Sequence, residues 1–490
     1  MNRSSKFPLC ALSAAIAASS GAFAQSGSEE IRVLEEVIVT AQKISENLQD
    51  VPISVSVATA QDIKDINAFS FEDLEEITPG VTFGGGAGLQ SAAISVRGVG
   101  PEFFALGTPP NVAVFVDQVA QAQIGAVFST LVDVSRVELL MGPQGTLYGR
   151  NAPGGAYNIT TERPNFDGLN GYIEGSYSLY DSSDLATTDI RGAVNIPLID
   201  DVLSWRLAGV YSDSDGHVRL PRVNNTTGGH ENEAIRSRML WAPSSDMELL
   251  WTVNYQDLEQ NPGGFNYEGL VPGTGGTNDT PAIYNKWKDN RNWGERPSLV
   301  TGDVKDTSLH WRWDTGTFDL DVIGFYQEFD TFSDEVRAPY FTDQLQKFFI
   351  GADTELTTLE VRISDTTERF DYVAGLYYFD SSAEYFNDIL VQGVNVNSDG
   401  TADTEGYAIF GNVNFHLTDK WDLADGLRYD DAKDEIDAAT VFSGITAALD
   451  DENSFDHVTW SLKLRNYISD DITAYPAIDH AYKQGGSNGL

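Results

Sequence analysis

From about residue 168 onward, apolar and polar residues alternate with a period of two. In Glu248 to Asp257, the residues Leu249, Trp251, Val253 and Tyr255 share one face and Thr252, Asn254 and Gln256 the other, with Leu250 breaking the rule. Tyr407, Ile409, Val413, Phe415 and Leu417 likewise oppose Asn412, Asn414 and His416, and Val458, Trp460, Leu462 and Leu464 oppose Thr459, Ser461, Lys463 and Arg465. The pattern predicts strands near 168–181, 185–197, 202–213, 232–242, 247–257, 305–314, 317–330, 354–364, 369–381, 404–417, 420–431, 456–468 and 471–484. One apolar and one polar face also suits a soluble sandwich. Connection lengths decide between the two: Pro197–Asp201, Ala242–Asp246, Thr315–Gly316, Ser364–Arg369, Thr418–Lys420 and Ser469–Asp470 are tight. Ser214–Glu231, Leu258–Val304, Thr331–Asp353, Ser382–Asp403 and Asp430–Phe455 read as long loops. Short turns at one end and long loops at the other are the arrangement of an outer-membrane barrel. Trp241, Trp421 and Tyr467 at strand ends suit its interfacial girdle.

The start of the chain fixes the compartment. Arg3 and Lys6, an apolar stretch from Phe7 to Ala18 and the small-residue end Ala22-Phe23-Ala24 read as a cleaved secretory signal over residues 1–24, with Ser13, Ser19 and Ser20 too polar for an anchor. Cys10, the single cysteine of the 490 residues, leaves with it, which excludes a disulfide framework. Beyond residue 24 no run approaches about 18 apolar residues, so a helical span is not expected, whereas membrane strands remain possible. With 73 acidic against 31 basic residues and a net charge of -42, no nucleic-acid partner is expected.

The first half carries a set of ordered blocks. Leu34 to Lys43, with the β-branched run Val37, Ile38, Val39, Thr40 before Ala41, follows the flexible Gln25 to Glu30 and suits strand addition to a partner's sheet edge, or an ordinary edge strand. Asn47 to Val55, Thr78-Pro79-Gly80-Val81, Val96-Arg97-Gly98, Val114 to Asp117, Ser135 to Glu138, Gly142 to Ala156 and Asn158-Ile159-Thr160 follow in order. Together they resemble the energy-coupling box and plug of TonB-dependent outer-membrane receptors, of the siderophore-receptor kind, over nearly all of residues 30–165. Met141, Gln118 and Tyr157 depart from the family pattern. Ser70 and Asp73 predict a short helix over Asn67–Ile77, and Gly142 to Gly145 with Gly154-Gly155 predict sharp turns.

The resemblance implies a mostly β protein, an N-terminal α+β plug inside an antiparallel transmembrane β-barrel. The thirteen strands stand against the 22 of plugged transporters, so the barrel is expected to be incomplete and the chain truncated at its C-terminus. The expected divisions are a signal at 1–24, a periplasmic extension with the box at 25–45, a plug at 46–165 and a partial barrel at 166–490. Val37 to Ala41 would bind TonB with its inner-membrane motor proteins. Arg97, Arg136, Glu138, Arg150 and Arg163 are candidates for a polar plug–barrel lock, with inward acids such as Glu174 as partners, or for pairing within the plug. Gly85, Gly86, Glu102, Phe103 and Phe104 are candidates for touching ligand.

The implied function is energy-coupled import of a scarce ligand, foremost an iron-siderophore complex, in the outer membrane of a Gram-negative bacterium among its lipid and lipopolysaccharide. Vitamins, glycans and other metal carriers share the motifs. No catalytic residue, metal site or cofactor is expected: the six histidines are scattered, no HExxH or Walker pattern occurs, and Gly84 to Gly88 lacks the spacing of a dinucleotide loop. The rivals are a passive porin-like channel and a non-functional receptor fragment.

Overall fold

The computed structural model describes residues 38–485, apart from 41–42, 45, 50, 86–88, 90–91, 101–109, 122, 129–130, 180–184, 217, 221–224, 262–297, 338–345, 392–393, 443 and 470–471. The expected export signal lies outside the described residues. No helix among them is long and apolar enough to cross a membrane.

The N-terminal region is mixed. Strands β1 (Ile38–Val39) and β2 (Glu46–Asn47) form a two-stranded antiparallel hairpin. β3 (Ser54–Thr59) leads into helix α1 (Ala60–Asp65), whose start is a capping box: Thr59 Oγ1 accepts from the Asp62 N–H, and the Asp62 carboxylate accepts from the Thr59 N–H. Ser70 and Asp73 exchange the same reciprocal bonds ahead of a 3-10 helix at Glu72–Ile77, so the helix expected across Asn67–Ile77 occupies only its second half.

After the hairpin of β4 (Val81–Gly85) and β5 (Ala92–Val96) come β6 (Val112–Val116), β7 (Val119–Ala120), α2 (Gly125–Phe128), β8 (Val134–Met141), α3 (Gly145–Tyr148) and β9 (Gly155–Thr161). The five-stranded sheet runs β3-β8-β9-β6-β7 and is parallel only at β6/β9. Phe71, Leu74, Ile94, Leu139 and Tyr157 fill its core, with Tyr157 edge-on to Phe71 at 4.8 Å. Gly155 has φ 147°, and a Cβ there would lie 2.3 Å from the Leu140 carbonyl, which accounts for the glycine pair.

The rest is one antiparallel sheet. Its strands are β10 (Asn170–Leu179), β11 (Ala186–Ile199), β12 (Leu203–Ser214), then, beyond the small hairpin of β13 (Val218–Leu220) and β14 (Asn225–Thr227), β15 (Gly229–Ser244), β16 (Met247–Asn261), β17 (Leu299–Asp314) and β18 (Asp319–Arg337). β19 (Gln346–Thr366), β20 (Phe370–Val391), β21 (Val394–Thr418), β22 (Trp421–Phe442) and β23 (Ile445–Ser469) follow, each paired to the one before. β24 (Ile472–Ala474) and β25 (Ala477–His480) both pair with β23 and flank Pro476, whose carbonyl accepts from the Leu464 N–H although its own nitrogen cannot donate. Among the described residues β10 and this interrupted last strand do not pair with one another.

The alternation is inverted relative to a soluble sheet. Trp251, Val253, Tyr407, Ile409, Phe415, Trp460 and Leu462 are exposed, while Thr252, Gln256, Thr459, Ser461 and Arg465 are buried, Gln256 donating to the Ala126 carbonyl and Thr459 to that of Gly145 in the N-terminal region. Apolar-out and polar-in is the order of a membrane sheet around a polar interior. Five of the six tight connections fall within three residues of their expected bounds, at 200–202, 245–246, 315–318, 367–369 and 419–420, and the sixth, at 470–471, lies outside the described residues. Ser382–Asp403 and Asp430–Phe455, expected as long loops, are instead strand: β20 and β21 pair out to Val391↔Val394, and β22 and β23 out to Phe442↔Ile445. Beyond the hydrocarbon both faces are open to polar surroundings, so a segment such as Asp450-Asp451-Glu452-Asn453-Ser454 pairs without any period-two signal.

Candidate functional site

The hairpin β1/β2 is fastened at two points. Just past β1, Thr40 donates its N–H to Glu138 Oε1 at 2.9 Å. Asn158 Nδ2 donates to Thr40 Oγ1 (3.0 Å) and to Glu138 Oε2 (3.1 Å). Arg136 donates from Nε to Glu138 Oε1 (2.7 Å) and from Nη2 to Thr40 Oγ1 (3.2 Å). Glu138 is fully buried, and these donors make its charge tolerable there.

Three residues on, Lys43 occupies the turn with φ 62°, its N–H bonded to the Thr40 carbonyl. Its Nζ reaches across to β19 and donates to both Glu360 oxygens at 2.8 and 2.7 Å, lying 5.0 Å from the Phe410 ring. Burial pushes the Lys43 ammonium down to about 8, with Glu360 opposing the shift. Of the other box residues, Val37 and Ala41 lie outside the described residues, and Ile38 and Val39 form β1.

The five charged candidates divide. Arg97 (φ 51°) donates to Ser54 Oγ at 3.1 Å, and Arg136 and Glu138 bond each other, all within residues 46–165. Arg150 reaches the wall, donating to Gln484 Oε1 at 2.5 Å with its guanidinium 3.7 Å from the centroid of the Phe379 ring. Arg163 pairs with Glu248 of β16 at 2.8 Å. Glu174 of β10 takes Lys64 of α1 and, at 2.9 Å, its neighbour Arg191. Among the ligand candidates Gly85 ends β4; Gly86, Glu102, Phe103 and Phe104 lie outside the described residues.

Among the described residues several further ties come from arginines of the wall, which the sequence reading did not single out. Arg206 clasps Asp133 through two bonds of 2.6 and 2.7 Å. Arg236 donates to the Val132 carbonyl (2.5 Å), Arg191 to that of Ala68 (2.9 Å), and Arg238 to those of Thr161 (3.1 Å) and Glu162 (2.8 Å). Arg238 also lies 3.3 Å from Asp117; burial alone would raise that carboxyl, but Arg238 and Arg236 outweigh it and hold it below the usual range. The legible signal was arginine at polar positions of the alternation, as in Arg236 and Arg238 of β15.

Apolar contacts add to these. Leu89 and Ala126 sit among Leu258, Val300, Val304 and Phe329 of the wall, opposite Gly302, where a Cβ would come within 2.6 Å of Leu89 Cδ1. Facing β19–β22, by contrast, a cavity of about 200 Å³ opens beside Lys43, bordered by Phe115, Tyr148 and Arg150 and by Tyr377, Phe379 and Arg428. Lys43, Arg150, Glu360 and Arg428 are among the charged groups that border this space.

Residues 47–156 match the family described as the TonB-dependent receptor plug domain, and residues 250–489 that described as the TonB-dependent receptor-like β-barrel. The pesticin receptor of Yersinia enterocolitica is 25% identical over 480 residues, covering 95% of this chain and 65% of that protein. This chain therefore spans slightly less than two thirds of that relative's length. The ferrioxamine receptor of the same organism is 29% identical over 231 residues, 45% of this chain and 28% of the relative. The ferric yersiniabactin uptake receptor of Yersinia pestis shares the fold, with a TM-score of 0.76 at 22% identity over 89% of this chain and 66% of that one.

Proposed function

The chain belongs to the family of TonB-dependent outer-membrane receptors, and on that premise we propose that it imports a scarce ligand, a ferric siderophore, by energy drawn through TonB and its inner-membrane motor proteins. The observation that carries this is the fastened hairpin: a short β-branched strand lies just before the plug, tied by Thr40 to Glu138 and by Lys43 to Glu360. An added strand from a partner can compete with Glu46–Asn47 for the edge of Ile38–Val39. The iron-siderophore reading is supported by the names of the relatives, two of which handle ferrioxamine and ferric yersiniabactin.

In this reading residues 1–24 direct export, 25–45 present the box to the periplasm, 46–165 are the plug and 166–490 the wall, embedded among outer-membrane lipid and lipopolysaccharide. Arg150 and Arg163 belong to the plug–wall lock, and Arg97, Arg136 and Glu138 stiffen the plug behind it. Work is done by binding and displacement, with no bond-making step and no cofactor.

The test uses cells lacking other siderophore receptors. Removing Val37 to Ala41 abolishes uptake of radiolabelled iron supplied as ferrioxamine or ferric yersiniabactin while surface binding persists. Uptake that survives the deletion favours a passive channel, and absence of both binding and uptake favours a product that does not transport.

A further inference from the structure

One row of inward-facing side chains runs across four wall strands with alternating charge. Glu248, Arg312, Asp321 and Arg362 stand directly opposite one another on β16, β17, β18 and β19. Each has at least two partners of opposite charge. Arg312 lies 3.6 Å from Glu248 and 3.4 Å from Asp321; Arg362 lies 3.4 Å from Asp321 and 3.1 Å from Glu360. His310 caps Asp321 from the side at 2.6 Å, and Gln118 of the plug accepts from Arg362. At one end of the row Arg362 meets Glu360, which holds Lys43 just before the plug, and at the other Glu248 holds Arg163 near the plug's end.

We propose that this row is a partner-exchange ladder, in which withdrawal of Lys43 at the start of the plug tightens the hold on Arg163 at its end. In a chain of shared partners, losing one cation passes the next one along. Without Lys43, Glu360 draws in Arg362; Asp321 then draws in Arg312; Glu248 is left to Arg163 alone. The plug would thus be gripped at its exit at the moment its entrance is freed, which keeps it from leaving the wall under load. Coupling between binding equilibria is reciprocal, so the state of Arg163 must bear on Lys43 with the same sign. The inference rests on reading β1 as the coupling strand.

The sign pattern is the test. In a Cys10→Ser background, Val39→Cys in β1 is buried while the hairpin is fastened, and its rate of reaction with a maleimide dye in the purified full chain reports release. Arg163→Met leaves Arg312 to Glu248, frees Arg362 from Glu360 and strengthens Lys43, slowing labelling by about threefold, the scale of a weak ion pair. Glu248→Gln removes the neighbouring charge and acts in reverse: Arg312 turns to Asp321, Arg362 to Glu360, and labelling quickens by about the same factor. Arg312→Met, which interrupts the row, makes labelling indifferent to Arg163→Met.

General loosening moves both variants the same way, so equal signs, or no change in either, overturn the ladder. Glu248→Gln is nearly isosteric and keeps the test alive should Arg312→Met not fold. If labelling follows the predicted signs but the released strand does not bind the periplasmic domain of TonB, the coupling-strand reading fails and the ladder stands.

Discussion

Glu138 of β8 and Lys43 of the turn after β1 show how two buried charged residues that fasten the Thr40–Lys43 turn are held by different physics. Glu138 accepts from the Thr40 N–H, Asn158 and Arg136. Glu138→Ala strands these donors at a cost of about 1–3 kcal/mol, seen as faster amide exchange at Thr40 with the wall unaffected. Lys43 has one acidic partner and a burial penalty that outweighs it. Its ordinary value is 10.5 and its docked value about 8, so between the two the free form binds more protons than the docked one. Raising the pH through that window therefore favours docking, and below about 8 the equilibrium is flat. A nitroxide on Val37→Cys should lose its mobile fraction between those limits, and Lys43→Met should abolish the slope.

Part of this site was legible: Arg136, Glu138, Arg150 and Arg163 stand out within their motifs. Lys43 and Gln118 do not, because their partners Glu360 and Arg362 lie more than 240 residues away. Gln118 replaces an expected glycine at φ 73°, a strained position that its bond to Arg362 offsets.

Among elements, the wall strands were readable wherever one face meets lipid and the other the plug. The signal vanishes where that asymmetry does, which is why the outer halves of β20 to β23 passed for loops. Asp425 departs from the apolar face of their inner halves. Asp425 of β22 points outward between Leu423 and Leu427, facing Val413 and Leu462 on the neighbouring strands, and is exposed on the apolar face. It lies four residues from Trp421, about 10 Å into the apolar band, where a lipid-facing acid costs less than an Arg or Lys. Asp425→Leu should stabilise the sheet by up to about 1 kcal/mol, whereas Leu427→Arg, further into the apolar band, should destabilise it by about 2–4 kcal/mol. Reversible urea unfolding from lipid vesicles measures both.

Across the whole molecule, the plug is not held evenly. Along β11 to β18 it is met by Arg191, Arg206, Arg236 and Arg238 and by the socket around Leu89; along β19 to β22 lies the cavity, crossed by Lys43 and Arg150. An acidic chain has few cations, and placing them on the inner wall against plug carbonyls makes that side a fixed bearing. Arg206 and Asp133 are both nearly inaccessible, so Arg206→Met leaves a buried carboxylate unpaired and should cost about 3–5 kcal/mol of plug stability. Lys64 is more than half exposed where it meets Glu174, and Lys64→Met should cost about 0–1 kcal/mol. The urea concentration at which trypsin first cuts within residues 46–165 reads the difference. Equal midpoints for the two variants would mean that the plug does not lean on this side of the wall, and that the cavity side bears the load instead.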